Sequence, residues 1–209
     1  MNVETLVVGF IDTNCYLVHD GRVAVVIDPG ADAEGILAKA EELGVEISFV
    51  FLTHAHFDHV LAVSEIIKKT GAKLVANVGE RKRMCDAELS GHTALRRREF
   101  IPLYADIEIA DSGAIDAGDM HFEFIRTPGH TEGSMCIICE DTMFSGDTLF
   151  AGTCGRCDLA GGDYEQMLAT LRRLYLLEGD YKVLPGHESA TTLAHERIYN
   201  PYMAEAMRR

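Results

Sequence analysis

Between Thr53 and His59 the chain reads Thr53-His54-Ala55-His56-Phe57-Asp58-His59, which gathers three imidazoles and a carboxylate into six residues. Two histidines two residues apart on extended backbone project the same way and can share one ion, while Asp58 and His59 can turn toward a second. Neutral imidazole and carboxylate suit zinc and also accept iron or manganese. A solvated histidine-rich turn would give no reason for an apolar strand to end in such a cluster. Three more residues of the same type, His130, Asp147 and His187, each sit at a glycine-marked turn: Pro128-Gly129-His130, Gly146-Asp147-Thr148 and Pro185-Gly186-His187. If these turns share one edge of the fold, His54, His56, Asp58, His59, His130, Asp147 and His187 converge, which is enough for two divalent metal ions. Asp28, in Asp28-Pro29-Gly30, either stands behind such a centre or simply forms a turn.

The flanking sequence supplies strand ends for all of these positions. Val45 to Leu52 is an apolar run of strand length ahead of the cluster, and Val60 to Lys69 carries apolar residues at helical intervals after it. Before them, Val3 to Ile11 and Asn14 to His19 read as strands, and Asp20-Gly21 reads as a two-residue hairpin into a third, Arg22 to Ile27. Ala33 to Leu43 is a helix ended by Gly44. Ala72 to Ala76 is a short strand, and Val78 to Arg98 is charged and helix-compatible, an expected surface insertion beside the site. Short strands return at Ile107 to Ile109, His121 to Arg126, Ser134 to Cys139 and Thr142 to Ser145. Asp163 caps a helix to Leu177, Tyr181 to Leu184 is a last strand, and Ser189 is placed to cap a helix from Ala190 to Tyr199. No linker, repeat or low-complexity tract divides residues 1–209, so one domain is expected.

Nineteen basic against thirty-three acidic residues give a formal charge of −14, which repels polyphosphate and argues against a nucleic-acid or anionic-membrane partner. No apolar run approaches the roughly 18 residues of a membrane span, and Met1-Asn2-Val3-Glu4 lacks the character of a secretory signal. Arg81-Lys82-Arg83 and Arg96-Arg97-Arg98 read as solvated helix faces, with an entrance for an anionic substrate as the alternative. Six cysteines without a signal indicate free thiols in a reducing, cytoplasmic setting. Cys136 and Cys139 imitate half of a zinc ribbon, but their odd spacing on a strand puts them on opposite faces.

His-x-His-x-Asp-His, followed at long intervals by His130, Asp147 and His187, resembles the metallo-β-lactamase superfamily over nearly the whole chain. The resemblance implies an α/β (α+β) fold, a four-layered αββα sandwich of two mixed sheets flanked by helices. It assigns His54, His56 and His130 to one metal, Asp58, His59 and His187 to the other, and Asp147 to a bridge between them. His19, His92, His121 and His195 match no motif position. Gly146 to Arg156 and Pro185-Gly186-His187-Glu188 look like the glyoxalase II (hydroxyacylglutathione hydrolase) branch. In that branch the loop here formed by Cys154, Gly155 and Arg156 contributes to substrate binding. The family's tyrosine after the basic residue is replaced, since Cys157-Asp158-Leu159 follow Arg156, and a separate C-terminal glutathione-binding helical domain is not expected. The short single-domain relatives are the better match. The implied reaction is cleavage of a small-molecule thioester or ester by a metal-bridging hydroxide held at Asp147 and oriented by Asp58, with zinc the leading metal and a monomer or homodimer as the working unit. Rival readings are a lactonase, a mononuclear iron persulfide dioxygenase, and a regulatory protein using Cys154 and Cys157 as a thiol switch.

Overall fold

The computed structural model describes residues 1–95 and 99–209, so the basic run Arg96-Arg97-Arg98 lies outside the described residues. Strands β1 (Asn2–Val8), β2 (Thr13–His19), β3 (Val23–Ile27), β4 (Glu46–Phe51), β5 (Lys73–Asn77) and β6 (Ile107–Ile109) form one sheet in that order. β1 to β3 are antiparallel, and β3 to β6 run parallel. The second sheet contains β7 (Ser112–Ala117), β8 (Met120–Arg126), β9 (Met135–Cys139) and β10 (Thr142–Gly146), then β13 (Lys182–Pro185) and β14 (Thr191–Thr192). Only β10 and β13 are parallel in it. β11 (Leu149–Phe150) and β12 (Thr153–Cys154) make a small separate ribbon.

Helices α1 (Ala33–Leu43), α2 (Phe57–Val60), α3 (Val63–Thr70) and α4 (Arg81–Met84) precede the second sheet, and α5 (Tyr164–Leu176), α6 (Leu193–Tyr199) and α7 (Pro201–Ala206) close the chain. Three apolar layers follow from strand alternation. Cys15 and Leu17 of β2 pack with Ile36 of α1 and Ile66 of α3 on the outer face of the first sheet. Tyr16 and Val18, one residue out of phase, turn inward against Phe122, Phe124 and Phe144 of the second sheet. Ile138 and Met143 pack outward under Met167, Leu171 and Met203 of α5 and α7. This is the four-layered sandwich of two mixed sheets between helices. At its centre Phe51 meets Phe122 and Phe124 edge-on, with ring centroids 5.1 and 5.0 Å away. Each such pair adds about 0.5–1.5 kcal/mol beyond area burial and fixes how the two sheets face each other.

Cys136 joins the outer layer and Cys139 the central one, on opposite faces as their spacing requires, and all six cysteines are free. Several local expectations need correction. The helix expected from Val60 to Lys69 breaks at Leu61 and Ala62 into α2 and α3. The turn after β2 is longer than two residues, because the Asp20 carboxylate accepts from the N–H groups of Arg22 and Val23, both at 2.8 Å, before β3 begins. The last helix is capped by Thr192 rather than Ser189, its hydroxyl accepting from the His195 N–H at 3.1 Å. A further helix, α7, follows behind an Asn200 cap. Residues 78–95 lie over the surface, with Arg81, Lys82, Asp86 and Glu88 exposed, but they are anchored there, since Glu80, Arg83, Met84, Ser90 and His92 are buried. Arg83 is therefore not part of a solvated face, whereas Arg81 lies exposed and paired with Glu108. No helix among the described residues is long and apolar enough to cross a membrane.

Candidate metal centre

Parallel strands end on a common edge, and that edge is where the candidate ligands collect. Asp28 follows β3 directly, and His54 follows β4 after Leu52 and Thr53. Asp58 and His59 then ride on the short helix α2. In the second sheet β8, β10 and β13 all point the same way, since β9 is antiparallel to β8 and β10 while β13 is parallel to β10. Their C-terminal ends deliver His130, Asp147 and His187. Backbone and side-chain hydrogen bonds fasten the two edges together. The Met135 N–H donates to the Thr53 carbonyl at 2.8 Å, the Asn14 N–H to Gly186 at 2.8 Å, and the buried Tyr16 hydroxyl to Pro185 at 2.7 Å.

All seven predicted ligands meet here, in two donor groups. His54, His56 and His130 place one ligand atom each within 4.8 Å of one another, as do Asp58, His59 and His187. The neighbours of His130, His54 and His59 fix their tautomers. A carbonyl only accepts, so His130 donates from Nδ1 to the Arg156 carbonyl at 2.8 Å and turns a lone pair on Nε2 inward. The Thr53 hydroxyl gives its proton to Asp28 Oδ2 at 2.5 Å and so accepts from His54 Nδ1 at 3.1 Å, leaving His54 Nε2 facing the centre. His59 donates from Nδ1 to Asp28 Oδ2 at 3.0 Å, and its Nε2 lies 3.3 Å from Asp58 Oδ2 and 3.5 Å from Asp147 Oδ1. The other Asp147 oxygen is 3.5 Å from His130 Nε2, so this carboxylate offers one oxygen to each group. Asp28, His54 and His59 form a third possible donor cluster. The Asp28 carboxylate, however, already accepts from the Thr53 N–H at 2.8 Å, from the Thr53 hydroxyl and from His59, which makes it a support for ligands.

Three buried atoms in this centre, His54 Nε2, His59 Nε2 and Asp147 Oδ1, have no hydrogen-bond partner. Unpartnered buried polar atoms are costly, and here they converge with carboxylates and neutral imidazoles, the donor set of a divalent cation. The residues present therefore fit two metal ions.

The electrostatics divide the two groups. Burial pushes the His54 imidazole well below its usual range, reinforced by His59 and His130. Burial likewise brings His56 down to about 2, with His130 and Arg83 adding to it. Both rings are neutral and can donate lone pairs. Burial works against protonation of His59 too, but Asp58, Asp147 and Asp28 overcome it and raise His59 well above the ordinary value. His187 is also raised, its burial outweighed by the hydrogen bond to Asp58 and the charge of Asp147. Asp58 itself is lowered, since the His59 charge and the His187 and His59 hydrogen bonds outweigh its burial.

The centre opens through Asp147 and His187, whose side chains are 14% and 22% exposed, into a cleft of about 480 Å³. Ile11, Phe57, Leu89 and Leu159 line it with the metal-type residues, and Arg156 stands among its lining residues. The Arg156 guanidinium is exposed and forms a two-point pair with Asp158, both contacts at 2.7 Å. Gly155 runs against the backbone of Asp147 so closely that a Cβ would collide with its carbonyl. Cys154 and Cys157 pack on the layer under α5 and α7 rather than into the cleft. Of the histidines outside the motif, His121 pairs with Asp116 on the surface and His195 packs on Tyr199, while His19 and His92 are buried and belong to neither donor group. Thr53, Glu80 and Arg83 were not singled out as site residues by the sequence, although Glu80 follows the next parallel strand end, β5, in the way that Asp28 and His54 follow theirs.

Comparison with known proteins agrees with this geometry. The profile of the metallo-beta-lactamase superfamily matches residues 8–187. The hydroxyacylglutathione hydrolase GloC of Haemophilus influenzae is 33% identical over 211 residues, covering 97% of this chain and 98% of the relative. Among solved structures, the BLEG-1 B3 metallo-beta-lactamase superposes with a TM-score of 0.90 at 32% identity, covering 97% of this chain and 99% of that one. TTHA1623 in a di-iron-bound form gives 0.85 at 33% identity, covering 96% and 100%. With ligands, topology and profile in agreement over most of its length, the chain belongs to the metallo-beta-lactamase superfamily, as a metal-dependent hydrolase.

Proposed function

We propose that this hydrolase cleaves small-molecule thioesters in the manner of the hydroxyacylglutathione hydrolases, with two zinc ions as its working metals. The observation that carries the reading is Asp147, which offers one carboxylate oxygen to each of two three-residue donor groups at the floor of a single cleft. Likeness to the relative named hydroxyacylglutathione hydrolase over nearly its full length supports the substrate class. A relative that carries iron keeps that metal as the alternative to zinc.

Bound there, the ions would supply a water of lowered pKa as nucleophile and a Lewis acid for the acyl carbonyl. His54, His56 and His130 hold neutral lone pairs in place, and Asp147 sets the spacing of the two groups. Asp58 stays ionised, as its depressed pKa requires, so it is too weak a base to take the proton and instead accepts a hydrogen bond that orients the attacking water. The leaving thiolate is stable enough to depart without a general acid, so no protonated side chain is needed on that side. Arg156 anchors a substrate carboxylate by exchanging it for Asp158; both side chains are exposed, and a surface pair of this kind is worth at most about 1 kcal/mol. Cys154 and Gly155 act through the backbone that carries Arg156.

The test is thiol release from S-lactoylglutathione by metal-analysed protein, run beside a lactone and a β-lactam. Chelator-sensitive release from the thioester alone is expected. Turnover of the β-lactam with silence on the thioester would overturn the substrate class and favour the activity named for the lactamase it superposes on.

A further inference from the structure

Strand β5 ends beside β4 on the edge that delivers Asp28 and His54, and the residue it delivers is Glu80, only 1% exposed. Its three side-chain hydrogen bonds all lead to the loops of the three-histidine group. Oε2 accepts from the N–H of Ala55, the residue between His54 and His56, at 2.9 Å. Oε1 accepts from the Thr131 hydroxyl at 2.6 Å and the Gly133 N–H at 3.0 Å, both in the loop that carries His130. The approach is close: a Cβ on Gly133 would lie 2.7 Å from the Glu80 nitrogen, and one on Gly79 2.9 Å from the Gly133 Cα.

Arg83, one turn on and 5% exposed, brings Nε to 3.2 Å from Glu80 Oε2. Its Nη2 donates to the Ala160 carbonyl at 2.9 Å and its Nη1 to the Leu89 carbonyl, and both of those residues line the cleft. Nη1 is also 3.4 Å from His56 Nε2. A buried ion pair is weak evidence of stabilisation, because apolar residues of similar volume often serve stability as well or better. What this pair does distinctively is join two ligand loops and two cleft segments through one pair of side chains.

We propose that Glu80 and Arg83 are positioning residues of the metal centre. Glu80 sets the separation of the His54–His56 turn from the His130 loop, and so the affinity of that group for its ion. Arg83 ties the group to the cleft wall at Leu89 and Ala160. The proposal rests on the metal-centre reading and is independent of the thioester assignment.

The test is stepwise zinc binding by the full chain in competition with a chromophoric chelator. In E80Q the amide nitrogen cannot accept from Ala55, Thr131 or Gly133, so one grip is lost. One of the two ions should bind about 10- to 100-fold more weakly while the other keeps its affinity. T131V, which removes only the hydroxyl, should weaken the same ion to a smaller extent, and it carries the test if E80Q does not fold. R83M should retain both ions but raise KM severalfold at little changed kcat. Wild-type affinity at both ions in E80Q and T131V would overturn the role of Glu80, as would equal weakening of both ions. An unchanged KM in R83M would overturn the role of Arg83. If the two ions bind as described and no thioester is cleaved, the substrate assignment fails and the positioning role of Glu80 stands, while R83M is then read with whichever ester, lactone or β-lactam the protein does cleave.

Discussion

Asp28→Asn is the sharpest probe of how ligands are held, because it changes one atom and leaves the backbone untroubled. Asp28 sits at φ 51°, in the left-handed region that asparagine also tolerates, and it is 2% exposed. Three donors reach it: the Thr53 N–H on Oδ1, and the Thr53 hydroxyl and His59 Nδ1 on Oδ2. An asparagine must aim its NH2 at one of these sides. Facing the Thr53 N–H, it sets two buried donors against each other, at a cost of roughly 1–3 kcal/mol. Facing His59, it meets the Thr53 hydroxyl, which can accept only by turning its own proton away, and His59 Nδ1, which can accept only by moving the imidazole proton onto Nε2, the atom that would bind metal. In this second arrangement the group containing Asp58, His59 and His187 should hold its ion about 10- to 100-fold more weakly. Stepwise chelator competition measures this directly, with thermal melting in chelator and in excess zinc as a companion. The metal-free melting temperature should drop by about 2–4 °C for each kcal/mol lost, and zinc should raise it less than in the wild type. Wild-type affinity at both ions in D28N would show that His59 does not depend on Asp28 and would refute the reasoning.

Other substitutions test neighbouring parts of the account. Asp147→Ala removes the one carboxylate among the described residues that offers an oxygen to each donor group, so one ion and thiol release should be lost while the circular dichroism spectrum persists; two ions bound at full rate would sink the bridging role. Phe10 is 71% exposed at the β1–β2 tip, stacked 6.1 Å from Phe57 beside Asp58. Phe10→Ala should lower kcat/KM by roughly fivefold, about 1 kcal/mol, for thioesters with large apolar acyl groups and leave lactoyl substrates alone; an equal loss for both would mean that the ring does not read the acyl chain. Burial raises the thiols of Cys154 to about 12 and Cys157 to about 11, so near neutral pH both are protonated and alkylate slowly, while exposed Cys85 reacts first. The sign follows: these groups favour the folded state below their ordinary 9.0, and that contribution is lost as pH climbs toward 11 to 12. Rapid reversible inactivation by mild oxidation at pH 7.5, abolished by Cys157→Ser, would contradict this and revive a thiol switch.

How much of this could be read beforehand depended on whether the signal was local. Helix α1 falls on the expected residues because its Asp32 cap and Gly44 stop are local chemistry. That the seven candidate side chains would come together was legible because histidines and aspartates gathered at glycine-marked strand ends serve few purposes besides holding a metal. β7 was not, since Ser112-Gly113-Ala114-Ile115-Asp116-Ala117 is poor in strand formers and becomes a strand only by pairing with β8. Arg83 looked solvated within a run of basic residues, and only tertiary packing turns it inward to Glu80 and two carbonyls. Asp28 was balanced between a turn and a support until Thr53 and His59 were seen to share its carboxylate. The Arg156 loop was read for its guanidinium, yet the contact that fixes a ligand there is the Arg156 carbonyl on His130. Backbone acceptors have no sequence signature.

Successive parallel strands β3, β4 and β5 end in Asp28, His54 and Glu80, and the three divide one task. The middle strand brings a candidate ligand, and its two neighbours bring acids that grip the loops on either side, Asp28 through Thr53 and His59 and Glu80 through Ala55. The first sheet alone cannot complete either donor group, because His130, Asp147 and His187 come from the second. Glu80 reaches across to that sheet at Thr131 and Gly133, while Asn14 and Tyr16 reach across at Pro185 and Gly186. The ligands thus depend on how the sheets face each other, and that relation is set twice: by the aromatic packing around Phe51 in the middle of the sandwich and by these buried hydrogen bonds at its edge. A centre supported in both ways keeps its donors in register without relying on the ions to pull the sheets together, which is why losses on substituting Asp28 or Glu80 should be confined to one ion rather than spread through the fold.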